Sequence, residues 1–169
     1  LCEALHLINV ERNADIVRMT SYAPLLARYE ATNWNPDMIY FNSSRVDLTP
    51  GYYTQKIFGN NSGDSYIDSS LRVENRREDV RKRIATSVVS DSESGDIIIK
   101  MVNLLPTEVS TRVVMDRCPE VQHEATCTLL SGSPTERNAT PQQSQIEVGK
   151  EFDYTMPAYS FSTIRVKRK

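Results

Sequence analysis

At residues 59–64, read Gly-Asn-Asn-Ser-Gly-Asp, the spacing of apolar residues changes. Upstream they recur at helical intervals or in one short buried run; downstream they recur at every second position, between turns rich in Gly, Pro, Asn and Ser. One chain therefore carries two kinds of architecture. Downstream, strands are expected at residues 66–73, 84–90, 96–104, 109–116, 125–131, 145–148, 152–155 and 159–167. Short strands at this spacing imply an antiparallel β-sandwich or jelly roll. The polar run from Gly132 to Gln145 reads as a surface loop, and the charged run from Arg72 to Arg83 as a solvated connection.

Upstream, Leu1, Ala4, Leu5, Leu7, Ile8 and Val10 lie on the apolar face of a first helix. Asn13 reads as the cap of a second helix that carries Ile16, Val17 and Met19 and ends near Pro24. Trp34-Asn35-Pro36-Asp37 then resets the chain into a buried strand from Met38 to Phe41. After polar residues, Thr49 and Pro50 read as N-cap and first residue of a helix whose Tyr53, Ile57 and Phe58 share one face. Strand, loop and helix in this order make one unit of an α/β fold. Its parallel strand needs neighbours on both edges, so this unit is incomplete on its own. Leu1 opens in mid-pattern, and the chain reads as the interior of a longer protein. Met19 and Trp34 read as packing residues.

Asn42, Ser43 and Arg45 follow the carboxyl end of that strand, where α/β folds build their ligand sites. Amide, hydroxyl and guanidinium groups there suit hydrogen bonding to a polar substrate. The same residues also suit a simple turn, with Asn42 and Ser43 capping it and Arg45 solvated. No nucleophile triad, phosphate loop or metal-ligand spacing can be assembled, and no cofactor is expected. Charges nearly balance at a formal net of -2, which gives no electrostatic case for a nucleic-acid partner. Nothing approaches roughly 18 uninterrupted apolar residues, so no membrane helix is expected. Cys118 and Cys127 could bridge if their strands are adjacent, while Cys2 reads as a buried apolar residue. Asn42, Asn60 and Asn138 open N-x-Ser/Thr patterns, which matter only where a glycosylating pathway makes the protein. Tyr154, Tyr159 and Phe161 could stack on sugars in a carbohydrate-binding module or fill a sandwich core, and packing is the favoured reading.

Three stretches, from Leu7 to Leu25, from Trp34 to Asn42 and from Thr49 to Phe58, resemble the late part of family 51 α-L-arabinofuranosidases. That resemblance implies a mainly β chain: an antiparallel sandwich or jelly roll preceded by a helix-strand-helix remnant of a (β/α)8 barrel. Residues 1–58 would end the barrel and residues 59–169 would form the C-terminal sandwich. It also implies a retaining glycosidase releasing terminal α-L-arabinofuranose from arabinan or arabinoxylan side chains, with both catalytic Glu residues upstream of Leu1. Glu3, Glu11 and Glu30 would take neither role, and this chain alone would be inactive. Asn42, Ser43 and Arg45 would help shape the sugar pocket. Further expectations are contact with the missing barrel, a periplasmic or extracellular location, and apolar faces at Leu5, Ile8, Val17 and Ile39 that favour homo-oligomers once the barrel is absent.

Overall fold

A computed structural model describes residues 1–116, 118 and 120–169. Helix α1 (Cys2–Arg12) is followed by a three-stranded sheet of β1 (Leu26–Arg28), β2 (Ile39–Phe41) and β3 (Val46–Leu48), then by α2 (Pro50–Asn60). Strand β2 is central, parallel to β1 and antiparallel to β3. Next come β4 (Ser65–Tyr66), a short α3 (Glu78–Arg81), β5 (Ile84–Ser90), β6 (Ile97–Asn103), β7 (Val109–Val114) and β8 (Val121–Ser131). The chain ends with β9 (Gln142–Glu147), β10 (Glu151–Met156) and β11 (Ser160–Arg168). Six strands form an antiparallel sheet in the order β4-β5-β6-β11-β8-β9, and β7 pairs with β10 in a second sheet. The fold is mainly β, a sandwich preceded by a helix-strand-helix segment.

The large sheet is covered on both faces, which accounts for the near-continuous apolar run of β6. On the inner face Ile97, Ile99 and Met101 meet Met156, Val109, Val113 and Phe152 of the two-stranded sheet. On the outer face Val102, Leu130 and Phe161 receive Ala4, Leu7 and Ile8 of α1 and Ile57 and Phe58 of α2. Phe58 stacks on Phe161 with ring centroids 4.9 Å apart, fixing α2 to the central strand. Tyr154 reaches across the inner core to donate to Ser162 Oγ at 2.8 Å. Phe161 and Tyr154 therefore serve packing.

Several expectations change. Asn13 ends α1 instead of starting a helix: its backbone N–H bonds Val10 O, the next N–H, of Ala14, bonds Glu11 O, and the Asn13 Nδ2 donates to Asn9 O at 2.7 Å. Residues beyond it turn once and then run irregularly, because no neighbouring layer receives their apolar side chains. Met19 is 88% and Trp34 65% exposed, so neither packs within this chain. Ile8 is not an exposed face; it lies fully buried against the sheet, while Leu5 and Ile39 are half-buried and Val17 is exposed. Cys2 is exposed, and Cys118 and Cys127 are both free. The strand expected at 66–73 shrinks to β4, with Ile67, Leu71 and Val73 packing onto the core from irregular backbone. The loop expected up to Gln145 ends early, because Gln142–Gln145 pair with β8 as an all-polar edge strand that carries no alternation to read. Strands β1 and β3 are three residues each, too short to show a period.

Candidate functional site

Thr49 and Asn42 fix the two ends of β2, Thr49 at its amino end and Asn42 at its carboxyl end. Thr49 Oγ1 donates to Met38 O at 2.7 Å and accepts from Tyr52 N at 3.4 Å, joining β2 to the first turn of α2. Asn42 Oδ1 accepts from Ser44 N at 2.9 Å, Ser44 Oγ at 3.0 Å and Arg45 N at 2.9 Å. Asn42 thus holds the β2–β3 turn closed, an Asx turn of the kind its side chain favours. Ser43, at the tip, is exposed.

Arg45 is not simply solvated. Its Nε lies 3.1 Å from Asp47 Oδ2, and its guanidinium stands 4.6 Å from the centre of the Tyr29 ring. Tyr29 also donates its hydroxyl to Asp47 Oδ2. That hydrogen bond holds the Tyr29 pKa above its ordinary value. Tyr40 packs beside Tyr29, with ring centroids 5.6 Å apart, and donates to Asn35 Oδ1 at 2.9 Å. The three residues expected from the sequence therefore sit in one turn, beside a Tyr29–Asp47–Arg45 cluster of balanced charge. Tyr29 was not legible as a member because it directly follows β1, which carries no periodic signal of its own.

The glutamates are engaged elsewhere. Glu3 Oε1 accepts from Tyr22 OH at 3.2 Å, and its carboxylate lies against Gly51 in the first turn of α2, where the helix dipole favours an anion. Glu11 is paired with Lys100 on the far side of α1. Glu30 is exposed in left-handed backbone, at φ 64°. Among the described residues no cluster of three or more His, Cys, Asp or Glu side chains is arranged to hold a metal. The turn can donate and accept hydrogen bonds to a neutral polar molecule, but these residues offer no acid–nucleophile pair.

Comparison with known proteins agrees with this picture. A family model described as the α-L-arabinofuranosidase C-terminal domain matches residues 1–160. Alpha-L-arabinofuranosidase 1 of Arabidopsis thaliana is 31% identical over 96% of this chain, but only 25% of that protein is covered. An extracellular exo-alpha-L-arabinofuranosidase of Streptomyces chartreusis is 44% identical over 41% of this chain and 8% of its own length. The structure of an arabinose-bound family 51 α-L-arabinofuranosidase superposes with a TM-score of 0.90 at 31% identity, over 99% of this chain and 27% of that one. The fold and its matches define a C-terminal, mostly β region of a glycoside hydrolase. The chain belongs to the α-L-arabinofuranosidase C-terminal domain family, within glycoside hydrolase family 51. It spans about a quarter of the length of the relatives it matches.

Proposed function

We propose that this chain is the C-terminal region of a retaining α-L-arabinofuranosidase that removes terminal arabinofuranosyl residues from arabinan or arabinoxylan side chains. The carrying observation is a family match along residues 1–160 in a chain that spans only 25% of its Arabidopsis relative. Residues 1–58 then complete a catalytic barrel supplied by upstream sequence, and residues 59–169 form the accessory sandwich that buttresses it. The chemistry is double displacement, with one upstream Glu protonating the leaving oxygen and a second forming the glycosyl-enzyme intermediate. Asn42, Ser43 and Arg45 shape the rim of the sugar pocket from the carboxyl end of β2. A location outside the cytoplasm, periplasmic or extracellular, is favoured by the extracellular Streptomyces chartreusis relative.

The deciding experiment is hydrolysis of p-nitrophenyl α-L-arabinofuranoside by this chain and by a version extended upstream through the barrel. Activity confined to the longer protein is expected; activity in the purified 169-residue chain would require a catalytic pair among its own residues. In the longer protein Asn42→Ala should lower kcat/KM, because the turn that carries Ser43 and Arg45 loses its closure. Unchanged efficiency would remove Asn42 from the pocket. A sandwich acting as an aromatic sugar-binding platform has no support among the described residues, since Phe161 is buried and Tyr154 and Tyr159 are at least half-covered.

A further inference from the structure

The outer face of the six-stranded sheet changes character along its strands. Where α1 and α2 cross, the register row Ala85, Val102, Phe161 and Leu130 is apolar. Two residues further along, the row is polar across five strands: Ser87, Lys100, Thr163, Thr128 and Gln143. A face shaped only to bury helices would remain apolar here. One end of this row is closed by α1, where Glu11 Oε1 takes Lys100 Nζ at 2.5 Å and Glu11 Oε2 accepts from Ser87 Oγ at 2.6 Å. The other end opens into a cleft of about 550 Å³ between the sheet and α2. Such a volume falls within the range of small-molecule sites.

Thr126, Thr128, Thr163 and Gln143 form the floor of this cleft, and Tyr53, Lys56 and Asn60 come from α2. Thr163 is the informative residue. It is 2% exposed, and its Oγ1 has no hydrogen-bond partner among the described residues. A buried hydroxyl left unpaired destabilises the fold, and a ligand that pairs with it recovers that cost. No carboxylate lines the cleft, so it is not built for a cation. Arg165, at its end, is already neutralised by Asp96 Oδ2 at 2.5 Å and Asp91 Oδ2 at 2.8 Å. What remains, besides the Lys56 ammonium held over the Tyr52 ring, is a set of hydroxyls and amides, each able to donate and accept, beside Tyr53, Ile57 and Pro141 as apolar surface.

We propose that this cleft is a non-catalytic saccharide site, binding a neutral, hydroxyl-rich oligosaccharide between α2 and the outer sheet face, apart from the turn at residues 42–45. The choice of an arabinose-containing sugar rests on the function proposed above; the polar cleft itself does not. Such a site would hold a polymer chain while its branch ends are cut elsewhere.

Amide NMR of the chain titrated with a linear arabinotriose tests the proposal. Saturable shifts are expected at the side-chain amides of Asn60 and Gln143 and at the backbone amides of Thr128 and Thr163. Gln143→Ala and Asn60→Ala, both at exposed positions, should each weaken binding by about fivefold or more while the remaining spectrum is unchanged. Thr163→Val should weaken binding similarly yet raise the unfolding midpoint, because it removes an unpaired buried hydroxyl. The absence of saturable shifts, or shifts confined to residues 42–45, would overturn the site. So would shifts seen in the 169-residue chain but lost in the upstream-extended protein, since the cleft would then be packed by polypeptide. A longer protein that binds the sugar in the cleft but fails to hydrolyse p-nitrophenyl α-L-arabinofuranoside would support this site and refute the function proposed above.

Discussion

Lys100 is the most demanding single residue in the fold. Its side chain is fully buried on β6, and the ammonium lies 2.5 Å from Glu11 and 5.3 Å from the Phe58 ring. A buried ion pair adds little stability compared with apolar side chains of the same size, yet loss of one partner leaves an uncompensated charge. Glu11→Ala should therefore destabilise the protein by about 3–5 kcal/mol, and the double change Glu11→Leu with Lys100→Met should recover most of that loss. Urea unfolding of the three proteins measures both; a double variant no more stable than Glu11→Ala would refute this account. Burial pushes the Lys100 pKa below its ordinary value of 10.5, and the Glu11 carboxylate opposes that shift without reversing it. Between the lowered folded value and 10.5 the unfolded chain binds more protons, so Lys100 contributes a rise of stability with pH in that window. The urea midpoint of wild type should gain on that of Lys100→Met as pH climbs toward that limit. Tyr22 behaves in the opposite sense electrostatically: burial, reinforced by the Glu3 carboxylate, pushes its pKa up to about 12. Glu3→Gln should bring that titration back toward the ordinary tyrosine range, read from the ring carbon shifts of Tyr22.

Among the elements, α2 carries the clearest link from sequence to site. Its Thr-Pro start was legible, because an N-cap hydroxyl followed by a residue lacking an N–H meets the needs of a helix first turn. Thr49 also ties that turn to β2 through Met38 O, a bond invisible in the sequence. Thr49→Ala should thus remove both a cap and a tie to the start of β2, costing about 1–2 kcal/mol, and should loosen the first turn of α2. Hydrogen exchange would read this as faster exchange at Tyr52 and Tyr53; unchanged rates would confine Thr49 to an incidental contact. Strands β5, β6, β7, β10 and β11 were legible in position because each buries alternating or continuous apolar residues. Strands β1 and β3 were not, since each is only three residues long, and β9 was legible only at its end, because Gln142–Ser144 form a polar edge. The candidate site divides in the same way: Asn42, Ser43 and Arg45 follow from their place after a recognisable strand. Tyr29 reaches them only through the β1–β2 pairing, and the Thr163 cleft only through the register of five strands.

At the scale of the whole molecule, the two regions differ in how well they cover themselves. The sandwich has the apolar part of each face of its large sheet covered. The three-stranded sheet and the segment leading into it expose Ile16, Met19, Leu25, Leu26, Trp34 and Val46. Strand β1 also presents an open edge beside its parallel partner β2. Parallel strands are normally covered on both faces and paired on both edges, so this surface has the character of an interior cut open. Under the proposed division, upstream barrel sequence covers it in the longer protein, and a second copy of the chain is the available substitute when that sequence is absent. The 169-residue chain should therefore self-associate with rising concentration and bind a hydrophobic dye such as ANS. Leu26→Glu combined with Met19→Glu should return it to monomer, and at dilutions where the unaltered chain is already monomeric should leave the unfolding midpoint unchanged, because both side chains then face solvent. In the upstream-extended protein the same pair should be destabilising, since charge would now be forced into a covered surface. Light scattering on the chain and thermal unfolding of the longer protein read the two halves of this prediction. A chain that remains monomeric and dye-free would mean that the exposed residues are not a contact face, whereas a longer protein indifferent to both glutamates would mean that the barrel lies elsewhere.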